Sequence, residues 1–330
     1  VKAVPRIHGG PDALGAPLYD FSTNSNACGP CPQVLAAVQA ADATRYPDAG
    51  YTAVRAALAV FHGVAAWRIV LAGSASEFIF RITAWAVQQG ARSVCLPAHA
   101  YGDYAHAARP WGLDALTDVD AAALVWACEP SSPLGQAHGQ WPAELSHVVL
   151  DSAYAPLRLS GASSLNDSQR DALWQLFSPN KALGLTGVRA AYAIAPHDAA
   201  QAVQQLDALA PSWVLGAHGV AMLLAWTQSD TQAWLQQSLH TLRGWKRRQV
   251  ELLQGAGWEV LPSDTPFFCA RPPVDAVALC ARLRTQGIKL RDTTSFGLPG
   301  QVRLGVLSPQ AQDALLAALT KNTTLTMETT

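Results

Sequence analysis

Lysine is scarce in this chain, found at positions 2, 181, 246, 289 and 321 of 330. Lys2 and Lys321 are terminal, Lys246 stands in the charged run Lys246-Arg247-Arg248, and Lys289 lies in Ile288-Lys289-Leu290-Arg291. Only Lys181 has a Gly-rich, uncharged setting, Ser178-Pro179-Asn180-Lys181-Ala182-Leu183-Gly184-Leu185-Thr186-Gly187-Val188-Arg189. Desolvation and a neighbouring cation both disfavour an ammonium, so this amine is set up as a nucleophile toward an aldehyde. A lone loop lysine is usually just solvated, so its neighbours must carry the argument. Ser178 stands three residues before it and Arg189 eight after. Asp151 closes the apolar run Val148-Val149-Leu150, and Tyr154 follows three residues later. Leu71-Ala72-Gly73-Ser74-Ala75-Ser76-Glu77 leads small residues into a helix, whose free first N–H groups can receive a phosphate.

Together these groups can hold pyridoxal 5'-phosphate. Lysine supplies a Schiff base, aspartate keeps a pyridine nitrogen protonated, and arginine, serine and a helix start hold a phosphate. The elements that must position them are legible as a pattern. Short apolar runs at Arg92–Leu96, Leu124–Ala127, Val148–Leu150 and Ala190–Ile194 read as strands, with a helix over Tyr101–Trp111 between the first two. Alternating strands and helices imply right-handed crossovers and a mostly parallel sheet covered on both faces, with ligands beyond the carboxyl ends of its strands. From Ala199 to Gln254 the spacing is helical, ending at Gly255-Ala256-Gly257. The remainder reads as strands at Trp258–Leu261 and Phe267–Ala270, a helix at Val274–Thr285, a short strand, a strand at Gln301–Val306 and a helix at Pro309–Leu319, a compact α+β unit. The last ten residues are polar and Thr-rich and read as a frayed tail.

Composition narrows the class. Apolar residues make up 50% and charged residues 14%, which excludes a disordered chain. With 23 Lys+Arg against 24 Asp+Glu, there is no basic field for nucleic acid or an anionic membrane. The longest apolar-leaning run, Trp213–Trp226, is shorter than the ~20 residues of a bilayer span. The opening Val1–Arg6 lacks a signal-peptide pattern, and the six cysteines are scattered, which together predict a cytoplasmic protein. Cys28-Gly29-Pro30-Cys31 has CxxC spacing but no second pair, so it reads as a turn carrying two thiols, with no metal site expected.

Asp151-x-x-Tyr154, Ser178-x-x-Lys181 and Lys181-x7-Arg189 resemble the fold-type-I pyridoxal phosphate enzymes of the class I/II aminotransferase superfamily. Within it the chain is most similar to the L-threonine O-3-phosphate decarboxylases of cobalamin biosynthesis, relatives of histidinol-phosphate aminotransferase. His8-Gly9-Gly10, Asp20-Phe21-Ser22-Thr23-Asn24-Ser25-Asn26, Arg45-Tyr46-Pro47-Asp48, Trp67 to Phe80 and Leu290 to Arg303 carry the likeness, which spans roughly residues 8 to 320. It implies an α/β, aspartate aminotransferase-like fold. A large domain with a mostly parallel mixed sheet flanked by helices would occupy 46–254, and a smaller α+β domain 255–330, with the N-terminal segment 1–45 packed on the latter.

The resemblance also implies roles. Lys181 would bond the cofactor, Asp151 would pair with its ring nitrogen, and Tyr154 would hydrogen-bond its phenolic oxygen. Ser178, Arg189 and the backbone at Ala75 and Ser76 would hold its phosphate, and Tyr101 would stack on the ring. Tyr46 would reach the phosphate of the other subunit, which implies a homodimer with shared sites. Arg303 would clamp a substrate carboxylate in a bidentate fork, and Arg291, His8 and Asn24 would receive a substrate phosphate. Two departures stand out. In Glu129-Pro130-Ser131-Ser132-Pro133-Leu134-Gly135, Ser132 replaces the Asn that usually contacts the cofactor's phenolic oxygen, and the phosphate loop is one residue short around Gly73-Ser74. The reaction expected is decarboxylation of L-threonine O-3-phosphate to aminopropanol phosphate. The alternatives are an aminotransferase of histidinol phosphate or another amino acid, and a non-catalytic pyridoxal phosphate-binding protein.

Overall fold

The computed structural model describes residues 8–320. Residues 1–7 and the Thr-rich tail expected over the last ten residues lie outside them. An N-terminal segment carries the short strand β1 (Tyr19–Asp20) and the helices α1 (Pro32–Gln39) and α2 (Thr52–His62). A seven-stranded sheet follows, made of β2 (Ile69–Ala72), β3 (Ser93–Cys95), β4 (Asp114–Leu116), β5 (Leu124–Cys128), β6 (Val148–Asp151), β7 (Trp174–Phe177) and β8 (Ala191–Ile194). Its order is β2-β8-β7-β6-β5-β3-β4, and only β8 runs antiparallel to its neighbours.

The four strands read from the sequence for this sheet are present within one or two residues. Three others lacked a signal. β4 is an exposed edge opening on Asp114, Gln175 interrupts the apolar pattern of β7, and the four residues of β2 merge into the run that leads to the next helix. Alternation across the pleat shows why the sheet must be covered on both faces. Ile69 and Leu71 of β2 join one core with Tyr192 and Ile194 of β8, while Val70 and Ala72 join the opposite core with Ala191 and Ala193.

The second core is capped by α3 (Ala75–Gln88), α4 (Gly102–Ala108) and α6 (Ala200–Ala208), through Phe78, Ile79, Ile82, Tyr104, Val203 and Leu206. The helix expected over Tyr101–Trp111 is α-helical only to Ala108. Pro110 has no N–H to continue the ladder, and residues 109–111 tighten into a 3₁₀ turn. The short α5 (Asp167–Asp171) precedes β7, its start fixed by a reciprocal capping pair of Asn166 and Gln169. The long helical stretch resolves into α6, α7 (Ala217–Trp226) and the 27-residue α8 (Ser229–Gly255). α8 carries Leu235, Leu239, Leu242 and Leu253 into the first core.

Beyond it lies a four-stranded antiparallel sheet of order β12-β13-β10-β9, from β9 (Glu259–Val260), β10 (Phe267–Arg271), β12 (Arg291–Asp292) and β13 (Val302–Gly305). It is accompanied by α9 (Ala276–Thr285) and α10 (Pro309–Thr320). The strand β11 (Ile288–Lys289) pairs in parallel with β1, and Gly305 N–H donates to the Phe21 carbonyl at 2.7 Å, so the N-terminal segment is tied to this second sheet. Among the described residues, no helix is long and apolar enough to cross a membrane.

Candidate active site

The carboxyl ends of β2, β5, β6 and β7 come to one edge of the large sheet, and antiparallel β8 starts at that same edge. Chain geometry therefore converges the groups singled out from the sequence. Asp151 is the last residue of β6, Ser178 follows β7, Arg189 precedes β8, and Ala75 and Ser76 open α3 just after β2. Ser74 caps α3 by accepting the Glu77 N–H at 3.0 Å, and the Glu77 carboxylate accepts the Gly73 N–H at 3.1 Å. The short loop thus still delivers a helix terminus. Its first intrahelical bond, from Phe78 N–H to the Ser74 carbonyl, leaves the Ala75 and Ser76 amides before the ladder begins.

The loop carrying Lys181 is gripped by the N-terminal segment. Asn26 N–H donates to the Lys181 carbonyl at 2.9 Å, the Asn26 amide to the Ala182 carbonyl at 2.9 Å, and Cys31 N–H to the Leu183 carbonyl at 2.9 Å. Gly184 ends this grip at φ +68°, and a Cβ there would stand 2.9 Å from the Gly29 Cα, so only glycine fits. The CxxC segment is therefore a packed turn. Cys31 leads into α1, both thiols are free, and no metal-binding group forms among the described residues.

Two connected cavities result. The inner, about 110 Å³, has Ala75, Ser76 and Tyr101 on one side and Asp151, Tyr154 and Ser132 on another. Ser178, Lys181 and Arg189 close it. The outer, about 480 Å³, shares Tyr101, Ser132, Tyr154, Lys181 and Arg189 and adds His8, Asn24, Arg291 and Arg303. Every site residue expected from the sequence except Tyr46 thus lines one or both. Tyr46 is 77% exposed and stacks on Trp213 at 4.4 Å, away from both cavities of its own chain.

Local electrostatics favour an uncharged amine at position 181. Lys181 Nζ donates to Ser178 Oγ at 3.1 Å and lies 5.6 Å from the centre of the Tyr154 ring. Its pKa is lowered, chiefly by desolvation and further by Arg189, against an opposing pull from Asp151. Burial pushes the Tyr154 phenol up to about 12. Arg291 and Arg303 are paired opposite one another on antiparallel β12 and β13, so both project from one face of that sheet. Their guanidinium carbons lie 4.9 and 5.7 Å from the centre of the Phe296 ring. Burial, then Arg303's charge, pushes Arg291 down to about 10, and burial likewise lowers Arg303. Arg303 donates to the Ser22 carbonyl at 2.7 Å and to Ser132 Oγ at 3.4 Å, while its Nε and both polar side-chain atoms of Asn24 have no hydrogen-bond partner.

Several residues of the site had no sequence signal of their own. Asn180 accepts from Ser178 Oγ at 2.8 Å, Phe296 underlies both arginines, and the Ser22 carbonyl aims Arg303. Tyr104 donates its hydroxyl to Asp151 Oδ2 at 2.7 Å. Its position three residues after Tyr101, on one face of a helix, was the only hint.

The geometry thus sets a buried lysine amine and a strand-end carboxylate in the lining of one cavity. The chain belongs to the family aminotransferase class I and II, whose model matches residues 113–319. It is thus a fold-type-I enzyme whose cofactor is pyridoxal 5'-phosphate. It is 28% identical to histidinol-phosphate aminotransferase of Pseudomonas putida (strain W619) over 341 residues, covering 96% of each chain. It is 29% identical to histidinol-phosphate aminotransferase 2 of Thiobacillus denitrificans, covering 92% of this chain and 91% of that one. Among solved structures, histidinol-phosphate aminotransferase from Sinorhizobium meliloti in complex with pyridoxal-5'-phosphate superposes with a TM-score of 0.80 at 23% identity, over 97% of this chain and 95% of that one. L-threonine-O-3-phosphate decarboxylase from Porphyromonas gingivalis does so with a TM-score of 0.75 at 20% identity, over 92% and 99%.

Proposed function

We propose that this chain is a pyridoxal phosphate-dependent aminotransferase for a small phosphorylated amine, with histidinol phosphate as the first candidate. Amino transfer thereby replaces the decarboxylation expected from the sequence as the leading reading. The curated relatives cited are histidinol-phosphate aminotransferases, whereas the decarboxylase likeness rests on a solved neighbour at 20% identity and on the motifs between His8 and Arg303. The observation that carries a phosphorylated substrate is the Arg291–Arg303 pair. Two like charges held directly opposite are unfavourable unless an anion lies between them, and a phosphate monoester supplies about two negative charges.

The residues present suit the cofactor. Lys181 would bond its aldehyde, Asp151 would meet its ring nitrogen, Tyr154 its phenolic oxygen and Tyr101 its ring face. Ser178, the exposed Arg189 and the helix start at Ala75 and Ser76 would take its phosphate. When bound, the cofactor supplies an electron sink conjugated to the substrate amine. The chain's residues do the rest. Lys181, its pKa lowered by burial, would take and return the substrate's Cα proton. Arg291 and Arg303 fix the substrate's anionic end and so decide which Cα bond faces the sink. Ser132, with one hydroxyl where an amide is usual, lies against Arg303 and links the clamp to the ring pocket. We further propose a homodimer in which Tyr46 of each chain reaches the cofactor phosphate of the other.

A second reading keeps the decarboxylase. Asn24 is buried, and its side-chain N–H group, without a hydrogen-bond partner, is a donor for a second anion. Arg303 would then hold a carboxylate, and Arg291, His8 and Asn24 a phosphate. Purified holoenzyme offered histidinol phosphate and, separately, L-threonine O-3-phosphate distinguishes the two. Amino-acid formation that needs a 2-oxo acid acceptor is the expected result. Release of CO2 from threonine phosphate without an acceptor would overturn it in favour of the second reading.

A further inference from the structure

Tyr104 is completely buried one turn into α4. Its ring lies flat on Trp126 of β5, centroids 4.5 Å apart and planes within 9°, and meets Tyr101 edge-on at 5.8 Å. Its hydroxyl reaches Asp151 Oδ2 at 2.7 Å, while the Ala153 N–H donates to Oδ1 at 2.9 Å. Packing therefore leaves this phenol little freedom to point elsewhere. We propose that Tyr104 is a positioning residue for the cofactor: its O–H holds the Asp151 carboxylate in one orientation toward the pyridine nitrogen, so that their contact persists over a wider pH range. The inference rests on the role given to Asp151 above.

A charge-assisted O–H···O⁻ bond at this length is among the stronger ones and directional, so it fixes the plane of the carboxylate it reaches. The titratable groups facing Asp151 are Tyr104 on α4, Cys128 on β5, Tyr154 in the loop after β6 and Lys181 after β7. Burial and the adjacent carboxylate push the Tyr104 phenol well above its ordinary range, and burial raises the Cys128 thiol too. Both stay protonated at working pH, so the phenol only donates. Loss of its hydroxyl leaves the stacked ring in place, which separates this role from simple packing.

The test uses holoenzyme of wild type, Tyr104→Phe, Asp151→Asn and the double variant. It follows the visible absorbance of bound cofactor against pH, together with the cofactor dissociation constant. Tyr104→Phe should move the spectral midpoint and weaken cofactor binding about tenfold or more, as for a hydrogen bond to a charged group. The same change should add nothing once Asp151 is Asn. Incorporating 3-fluorotyrosine at 104, a stronger donor in the same packing, should move the midpoint the other way, and it serves should the phenylalanine variant fold poorly. Unchanged midpoint and affinity in Tyr104→Phe, with both altered in Asp151→Asn, would reduce Tyr104 to a packing residue. If Asp151→Asn itself changed neither, the role of Asp151 would fall and the proposal with it.

Discussion

At the scale of single residues, the decisive group is an amine whose charged form is disfavoured by burial. Burial lowers the Lys181 pKa, the Asp151 carboxylate opposes that and Arg189 adds to it, and the hydrogen-bond partner of the amine is the neutral Ser178. Apoenzyme should therefore react with pyridoxal phosphate with a pH midpoint below that of an ordinary lysine, and Lys181→Ala should lose the coloured band while its circular dichroism is preserved. Retention of the band in that variant would assign the bond to another amine. Arg303→Ala should lower kcat/KM by the equivalent of about 2–5 kcal/mol, the cost of removing one partner of a buried charged pair, and an unchanged value would take Arg303 out of the site. Lys181, Asp151 and Arg189 were legible in the sequence because type and spacing suffice for them. Tyr104 and the Ser22 carbonyl were not, because their contacts join residues 47 and 281 positions apart, and Asn180 and Phe296 were not, because nothing in their type or spacing marks the local contacts they make.

At the scale of elements, the strands that could be read were those with unbroken apolar runs, while β2, β4 and β7 emerged only from pairing. Long-range pairing places a short strand that propensity alone leaves ambiguous. Two joints between elements make predictions. Gly184→Ala forces a strained φ and a clash with Gly29, so it should destabilise the fold by about 1–3 kcal/mol and displace the Lys181 loop, read as a lower Tm with weaker cofactor retention. His62, the last residue of α2, meets the Tyr192 hydroxyl at 2.7 Å and Phe177 of β7 at 5.0 Å. Burial lowers its pKa from 6.5 to about 4. The unfolded chain then binds the proton first, so this contribution to stability is complete above pH 6.5 and is lost as pH falls from there toward 4. Tm should drop across that window, and His62→Gln should flatten the drop; an identical slope in the variant would show that other groups cause it.

At the scale of the whole molecule, two sheets share one site. The large sheet brings Asp151, Lys181 and Arg189 to its carboxyl edge, and the small sheet brings Arg291 and Arg303 over them, with the N-terminal segment bonded to both. The general α/β architecture was readable from alternating elements, but the meeting of the two sheets was not, since no local pattern encodes it. In the proposed dimer the exposed Tyr46, stacked on Trp213, would complete the cofactor site of the other copy. The proposed dimer should behave in solution as twice 35.0 kDa, and Tyr46→Ala should weaken cofactor binding; a monomer with full affinity would remove Tyr46 from the site. The central claim is that the aldehyde of pyridoxal phosphate joins the amine at position 181. Borohydride reduction of holoenzyme followed by peptide mass spectrometry tests it most directly. The account predicts a pyridoxyl group on the Lys181 peptide alone, and a label on Lys246 or Lys289 with Lys181 unmodified would contradict it.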